Sequence, residues 1–144
     1  MKKFILSIAA LSMIVAVGCN KKDDDKSGRQ QMIVGTWNLS QFGNDANGNG
    51  ALDGAEAMAA SDTTMGSQLI INSNGQATQS VTLGGVPFGS VTGNWSLINN
   101  ENWLRLVDGT DTMAFEIKSL SNNSLTFRDT TGAAMGAEYT VWSK

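Results

Sequence analysis

From Ile33 onward, apolar and polar side chains alternate in short runs broken by Asn, Gly, Ser and Asp. That period of two is the signature of strands with one face buried and one face wet. In the first run, residues 33–42, the side chains of Ile33, Gly35, Trp37 and Leu39 share one face, and Thr36, Asn38 and Ser40 share the other. The Gly-x-Trp-x-Leu pattern returns at Gly93, Trp95 and Leu97, so two strands each carry a glycine that relieves crowding and an indole that fills space. Seven more runs follow the first, at 67–71, 76–83, 86–97, 103–107, 113–120, 125–128 and 137–143. Most connections between them are short and polar, with Asn74-Gly75 the sharpest hairpin signal. They join antiparallel neighbours but leave no room for the crossovers of a parallel sheet. The expected fold is all-β: an eight-stranded antiparallel up-and-down barrel over residues 33–144, closed so that no edge remains. Trp37, Trp95, Leu69, Ile71, Leu106, Phe115, Phe127 and Val141 are the side chains expected to fill it.

The first 32 residues follow no such alternation. Lys2 and Lys3 precede an apolar run over 4–18, shorter than the roughly 20 residues a membrane helix needs, that ends in small side chains. This pattern is that of a secretory leader, residues 1–18. Residues 20–28 then offer nothing apolar to bury and read as a solvated spacer. The junction Ala16-Val17-Gly18-Cys19 resembles the lipobox of bacterial lipoproteins, with Ala16 where that family usually has leucine. The resemblance implies cleavage before Cys19, acylation of its sulfur and a membrane anchor of more than one acyl chain. Residues 19–32 then become an acylated cysteine and flexible tether. The run Asp23-Asp24-Asp25 is similar to export signals of some Gram-negative lipoproteins, which places the expected protein at the outer membrane, on its periplasmic or its surface side.

Composition removes several function classes. The chain carries 10 Lys and Arg against 13 Asp and Glu, for a formal charge of −3, which disfavours nucleic acid as a partner. Histidine is absent and Cys19 is the only cysteine, so intrachain disulfides, histidine catalysis and ordinary Cys/His zinc sites are excluded. No nucleophile with a base partner stands out, and no enzymatic activity is expected. The methionines are scattered rather than striped and read as gap-fillers.

One connection carries its own chemistry. Residues 45–56, Asp-Ala-Asn-Gly-Asn-Gly-Ala-Leu-Asp-Gly-Ala-Glu, resemble the twelve-residue EF-hand loop. By that resemblance Asp45, Asn47 and Asn49 supply side-chain oxygens to Ca2+, and Ala51 its carbonyl. Asp53 acts directly or through water, and Glu56 supplies two oxygens, with Gly50 at the sharp turn. The flanks differ, because a strand enters the loop where the EF-hand has a helix. A structural calcium ion is expected, with a short exit helix near 55–60.

Gly35-x-Trp37 on the first strand, eight strands and a small domain behind a lipobox together resemble the small bacterial lipocalin-like lipoproteins. That resemblance implies a small apolar ligand inside the barrel. It also implies a barrel-closing group of Gly35, Trp37 and an arginine from a late strand, for which Arg128 is the candidate. The family's middle Thr-Asp-Tyr motif is absent. The alternative is a calcium-stabilised interaction module, adhesin-like or inhibitory, with a filled barrel and an envelope or extracellular protein as partner.

Overall fold

The computed structural model describes residues 27–129 and 137–144; Cys19, the leader over 1–18 and the tether up to residue 26 lie outside the described residues. The described residues open with a short helix, α1 (Gly28–Ile33), and continue as β1 (Gly35–Asn44), β2 (Ala57–Ala59), β3 (Met65–Ile71), β4 (Gln76–Leu83), β5 (Val86–Ile98), β6 (Trp103–Asp108), β7 (Asp111–Leu120), β8 (Ser124–Asp129) and β9 (Glu138–Ser143). Every pairing is antiparallel. β1 pairs with β3 through Gly35–Asn38 and with β9 through its remaining length, so β1 and β3 to β9 close into an eight-stranded barrel. The three residues of β2 add to the far end of β1 outside the ring.

Local chemistry explains the turns. Gly84 and Gly85, at φ of 58° and 78°, form a two-residue hairpin between β4 and β5, where both positions need the left-handed region. The β3–β4 hairpin closes with the Asn72 amide on the Gln76 carbonyl at 2.8 Å, with Gly75 at φ of 89°. β5 is longer than its later neighbour. It meets β6 only from Asn94 to Ile98, so its first half, through Gly93, pairs with β4 alone and overhangs the ring. The register along the overhang shifts between Val81 and Thr82, which leaves Phe88 as the extra residue of a bulge.

Alternation delivers the core. Trp37, Leu69, Ile71, Leu104, Leu125, Phe127 and Trp142 are buried from five strands, while Trp95, Leu97 and Phe115 pack against them partly covered. Val141 lies between Thr140 and Trp142, which face the interior, and so points the other way.

Two expectations are corrected at the chain's start. Ile33 is the last residue of α1 and not the first of a strand, and residues 28–32 are helical rather than part of a tether. The Ser27 hydroxyl accepts the Gln30 amide at 3.1 Å, a side-chain cap that starts the helix. Ile33, fully buried, then plugs one end of the barrel. The helix expected after the polar loop is instead β2 followed by a 3-10 turn, Ala60–Asp62.

The closed end is a knot of two residues. The Trp37 indole N–H donates to the Ile33 carbonyl at 2.7 Å, and both side chains are fully buried. Replacing Trp37 by alanine removes the plug, its bond and most of its contacts. Urea unfolding of Trp37→Ala is expected to show a loss of about 3–5 kcal/mol, the usual cost of deleting a buried large aromatic. A loss below about 1 kcal/mol would contradict this packing.

Candidate functional site

Pleat alternation places Trp37 and Leu69 on the same inner face, and Lys144 reaches the indole from the end of the chain. Its Nζ lies 4.3 Å from the Trp37 ring centroid and donates to the Met32 and Val34 carbonyls at 2.9 and 3.0 Å. The ammonium therefore satisfies carbonyls at the end of α1 while resting on the indole face. Partial burial pulls its pKa below the ordinary lysine value. Gly35, at φ of 146°, is needed beneath it, since a Cβ there would stand 2.7 Å from Lys144 Cε.

Arg128, the residue expected in that position, lies elsewhere. Phe127 turns inward on β8, so Arg128 must turn outward, where its Nη1 meets Glu116 Oε2 at 3.2 Å. Its neighbours by register are Tyr139 and Glu116, on the same outward-facing side of the sheet. Among the described residues, Arg128 Nε and the Tyr139 hydroxyl are buried there without a hydrogen-bond partner.

The opposite end of the barrel is not filled. A cavity of about 150 Å³ lies among Leu69, Leu104, Leu106, Phe115, Phe127 and Trp142. Phe115 and Phe127 meet there as a tilted ring pair with centroids 5.7 Å apart. Gln79, Thr140, Asp129 and Glu138 supply its polar lining. Gln79 and Leu106 are shared with a second cavity of about 280 Å³, which runs below the overhang of β5 along Phe88, Val91, Gly93 and Met113. Gly93 has no room for a side chain, because a Cβ would collide with the Val107 carbonyl. At the lip, Val86 and Phe88 are 65% and 74% exposed, an apolar tip above an apolar groove.

The loop over 45–56 folds against the barrel's outer wall. Gly43 lets the Glu56 carbonyl approach β1, and the Asp45 amide donates to the Ala137 carbonyl at 3.0 Å. Asp45 is buried, with its two carboxylate oxygens accepting the Asn49 and Gly50 amides at 3.0 and 2.8 Å. Glu56 reaches back across the loop, one oxygen accepting the Ala46 and Asn47 amides and the other the Asp53 amide. Asn47 and Asn49 both donate side-chain amides to Asp53 Oδ2 at 2.8 Å. The Ala51 amide donates to the Asn49 side-chain oxygen at 2.9 Å. Among the described residues, no three Asp, Glu, His or Cys side chains gather as a metal-holding group. The carboxylates of Asp45, Asp53 and Glu56 are all taken up by amides of the loop itself.

Sequence reasoning missed Lys144 and the two carboxylates of the cavity. A lone lysine beyond the last apolar run carries no pattern, although its place after Trp142 on β9, next to β1, brings it to Trp37 once the barrel closes.

A closed eight-stranded meander, plugged at one end by an indole under a cation and hollow at the other, is the architecture of a lipocalin-like barrel. Residues 33–127 match the lipocalin-like domain family, and the chain belongs to it. Among solved structures, a lipocalin-like protein from Bacteroides uniformis ATCC 8492 is 17% identical, with a TM-score of 0.53 over 78% of this chain and 98% of that one. Japanin from Rhipicephalus appendiculatus, bound to cholesterol, is 12% identical, with a TM-score of 0.43 over 78% of this chain and 76% of its own. No curated protein sequence matches the chain.

Proposed function

We propose that the barrel binds a small apolar molecule at its open end, in a protein anchored to the outer membrane of a Gram-negative cell through acylated Cys19. The observation that carries the binding reading is the cavity walled by Phe115, Phe127 and Trp142, in a barrel whose other end is packed solid. A cavity of about this size lined by apolar side chains accommodates one benzene-sized group. The lipid anchor rests on the apolar run over 4–18 and the Val17-Gly18-Cys19 junction. Native mass spectrometry of protein purified from its own membrane tests both at once. It is expected to show a diacylated mature chain beginning at Cys19, together with a retained small molecule. An unmodified Cys19 in an intact leader would end the anchor proposal.

The cavity has its own test. Leu106 lines both hollows, and Leu106→Trp is expected to abolish fluorescence-detected binding of naphthalene at an overpacking cost of about 1–3 kcal/mol. Unchanged naphthalene affinity in a folded Leu106→Trp variant would locate the ligand elsewhere.

Calcium binding by the 45–56 loop belongs to the same reading. Its support is the ligand spacing, the hard oxygen donors and the way Asp45 and Glu56 tie the loop's two ends to its middle. The ion has to compete with the amides now held by Asp53, Asp45 and Glu56, which argues for the weak end of the range, about 10⁻⁴ to 10⁻³ M. At a hundredfold excess over the dissociation constant, calcium should add about 2.7 kcal/mol to stability. Thermal melts in calcium and in chelator are expected to differ accordingly. Glu56→Gln should remove most of the difference, and Glu101→Gln, outside the loop, none of it. Coincident melts at millimolar calcium would leave the loop as a hydrogen-bonded turn.

A further inference from the structure

The two hollows meet at an amide. Among the described residues that line them, Gln79 and Leu106 alone border both. Gln79 stands opposite Leu69 in the β3–β4 register and two residues from Ala77, both buried, so pleat alternation turns it into the barrel. A polar side chain among inward aliphatic neighbours is costly unless its hydrogen bonds are made. Gln79 makes a poor one: its Nε2 donates to the Ser67 hydroxyl at 3.5 Å, at the outer limit for such a bond. Among the described residues, no group donates to its Oε1.

The other polar groups are placed differently. Thr140 Oγ1 already accepts the Trp142 indole N–H at 2.9 Å. Asp129 ends β8, Glu138 begins β9 and Asp108 ends β6, so each stands at a strand end, and each borders one hollow only. Ser90 borders the outer groove alone. The amide is therefore the polar group at the junction, with Phe115, Phe127 and Trp142 to one side of it and Phe88, Val91 and Met113 to the other. Size points the same way. Sites for drug-sized molecules run from about 300 Å³ upward. The hollows, of about 150 and about 280 Å³, reach that size only when taken together.

Resting on the ligand-binding reading, we infer that the ligand spans both hollows and carries one neutral hydrogen-bonding group, a hydroxyl or a carbonyl, between two apolar bodies, and that Gln79 determines specificity for that group. One body lies among Phe115, Phe127 and Trp142, the other lies beneath Phe88, and Leu106 packs against the link. The amide suits either kind of link, since its NH₂ donates and its oxygen accepts. A wholly apolar molecule of the same shape leaves the amide unsatisfied, which is how a polar group in a pocket rejects the analogue that lacks its partner.

Two probes isolate the central group: 1,3-diphenylpropan-2-ol has the inferred form, and 1,3-diphenylpropane lacks only the hydroxyl. Each is titrated against naphthalene bound to the full chain, and the ratio of alcohol to hydrocarbon affinity is compared between the native protein and Gln79→Met, which keeps the side chain's length and removes the amide. The hydrocarbon's greater preference for apolar surroundings cancels in that comparison. The ratio is expected to fall about fivefold or more in the variant, the net worth of one neutral hydrogen bond. Naphthalene affinity should stay within twofold, which also shows that the variant is folded with its cavity intact. Gln79→Leu should repeat the result, and decides the matter if Gln79→Met does not fold. An unchanged ratio overturns the role of Gln79, and native protein that binds naphthalene but neither diphenyl compound overturns the spanning ligand. Both outcomes leave the apolar-ligand reading in place. Native protein that binds none of the three overturns that reading as well.

Discussion

The barrel depends on how its lower end is closed. An indole that fills the space between facing strands must also place its N–H, and Trp37 does so on the carbonyl of Ile33, the last residue of the preceding helix. That one bond makes the helix part of the core. It brings Ile33 to the plug and turns the Met32 and Val34 carbonyls toward Lys144. A side chain at residue 35 would stand 2.7 Å from Lys144 Cε, so the lysine would have to shift off this position. Arg29 secures the other side of the helix on the Glu101 carbonyl, in a turn where Asn99, Asn100 and Glu101 all hold positive φ. Six helical residues would not stand alone in water. Here tertiary bonds at several points replace the missing length.

A firmly closed end permits a loose one. Hydrophobic burial by Ile33, Trp37, Ile71 and Leu125 is complete at the plug, so the upper half can tolerate a hollow without losing the fold. Strand stagger creates the hollow. β5 runs past the end of β6, and the gap between the overhang and the β6–β7 turn extends the inner cavity sideways. The polar loop over 45–56 is placed on the outside of the wall, where its internal hydrogen bonds neither fill nor open the interior. Binding chemistry and loop chemistry are therefore separable in this molecule.

The sequence made the ring readable because alternation, short polar turns and two Gly-x-Trp runs all demanded the same pleated, closed arrangement. What it concealed has physical causes. The helix over 28–33 shows only Ser27 as a start signal, and its polar Gln30 and Gln31 suggest a solvated spacer until Trp37 supplies a bond to its end. Arg128 was a candidate by its lateness in the chain, yet the inward Leu125 and Phe127 already require it to face outward. Lys144 gains its role from strand closure, which no local window contains. The carboxylate pair is similarly invisible, because Asp129 and Glu138 belong to different runs and become neighbours only through the β8–β9 register.

The overhang of β5 has a consequence for how this protein behaves in company. Along Val86–Gly93 every second backbone group points away from β4 and finds no strand beyond it. An uncharged edge flanked by Val86 and Phe88 is the kind of surface to which another chain adds a strand. Two features blunt it: Pro87 presents no N–H, and the bulge at Phe88 twists the neighbouring groups out of line. Those outward amides should exchange with deuterium far sooner than amides in β6 and β7, which have partners on both sides. A single change from Pro87 to a β-former such as valine restores a donor, and would convert a solvated rim into a site of chain-to-chain association.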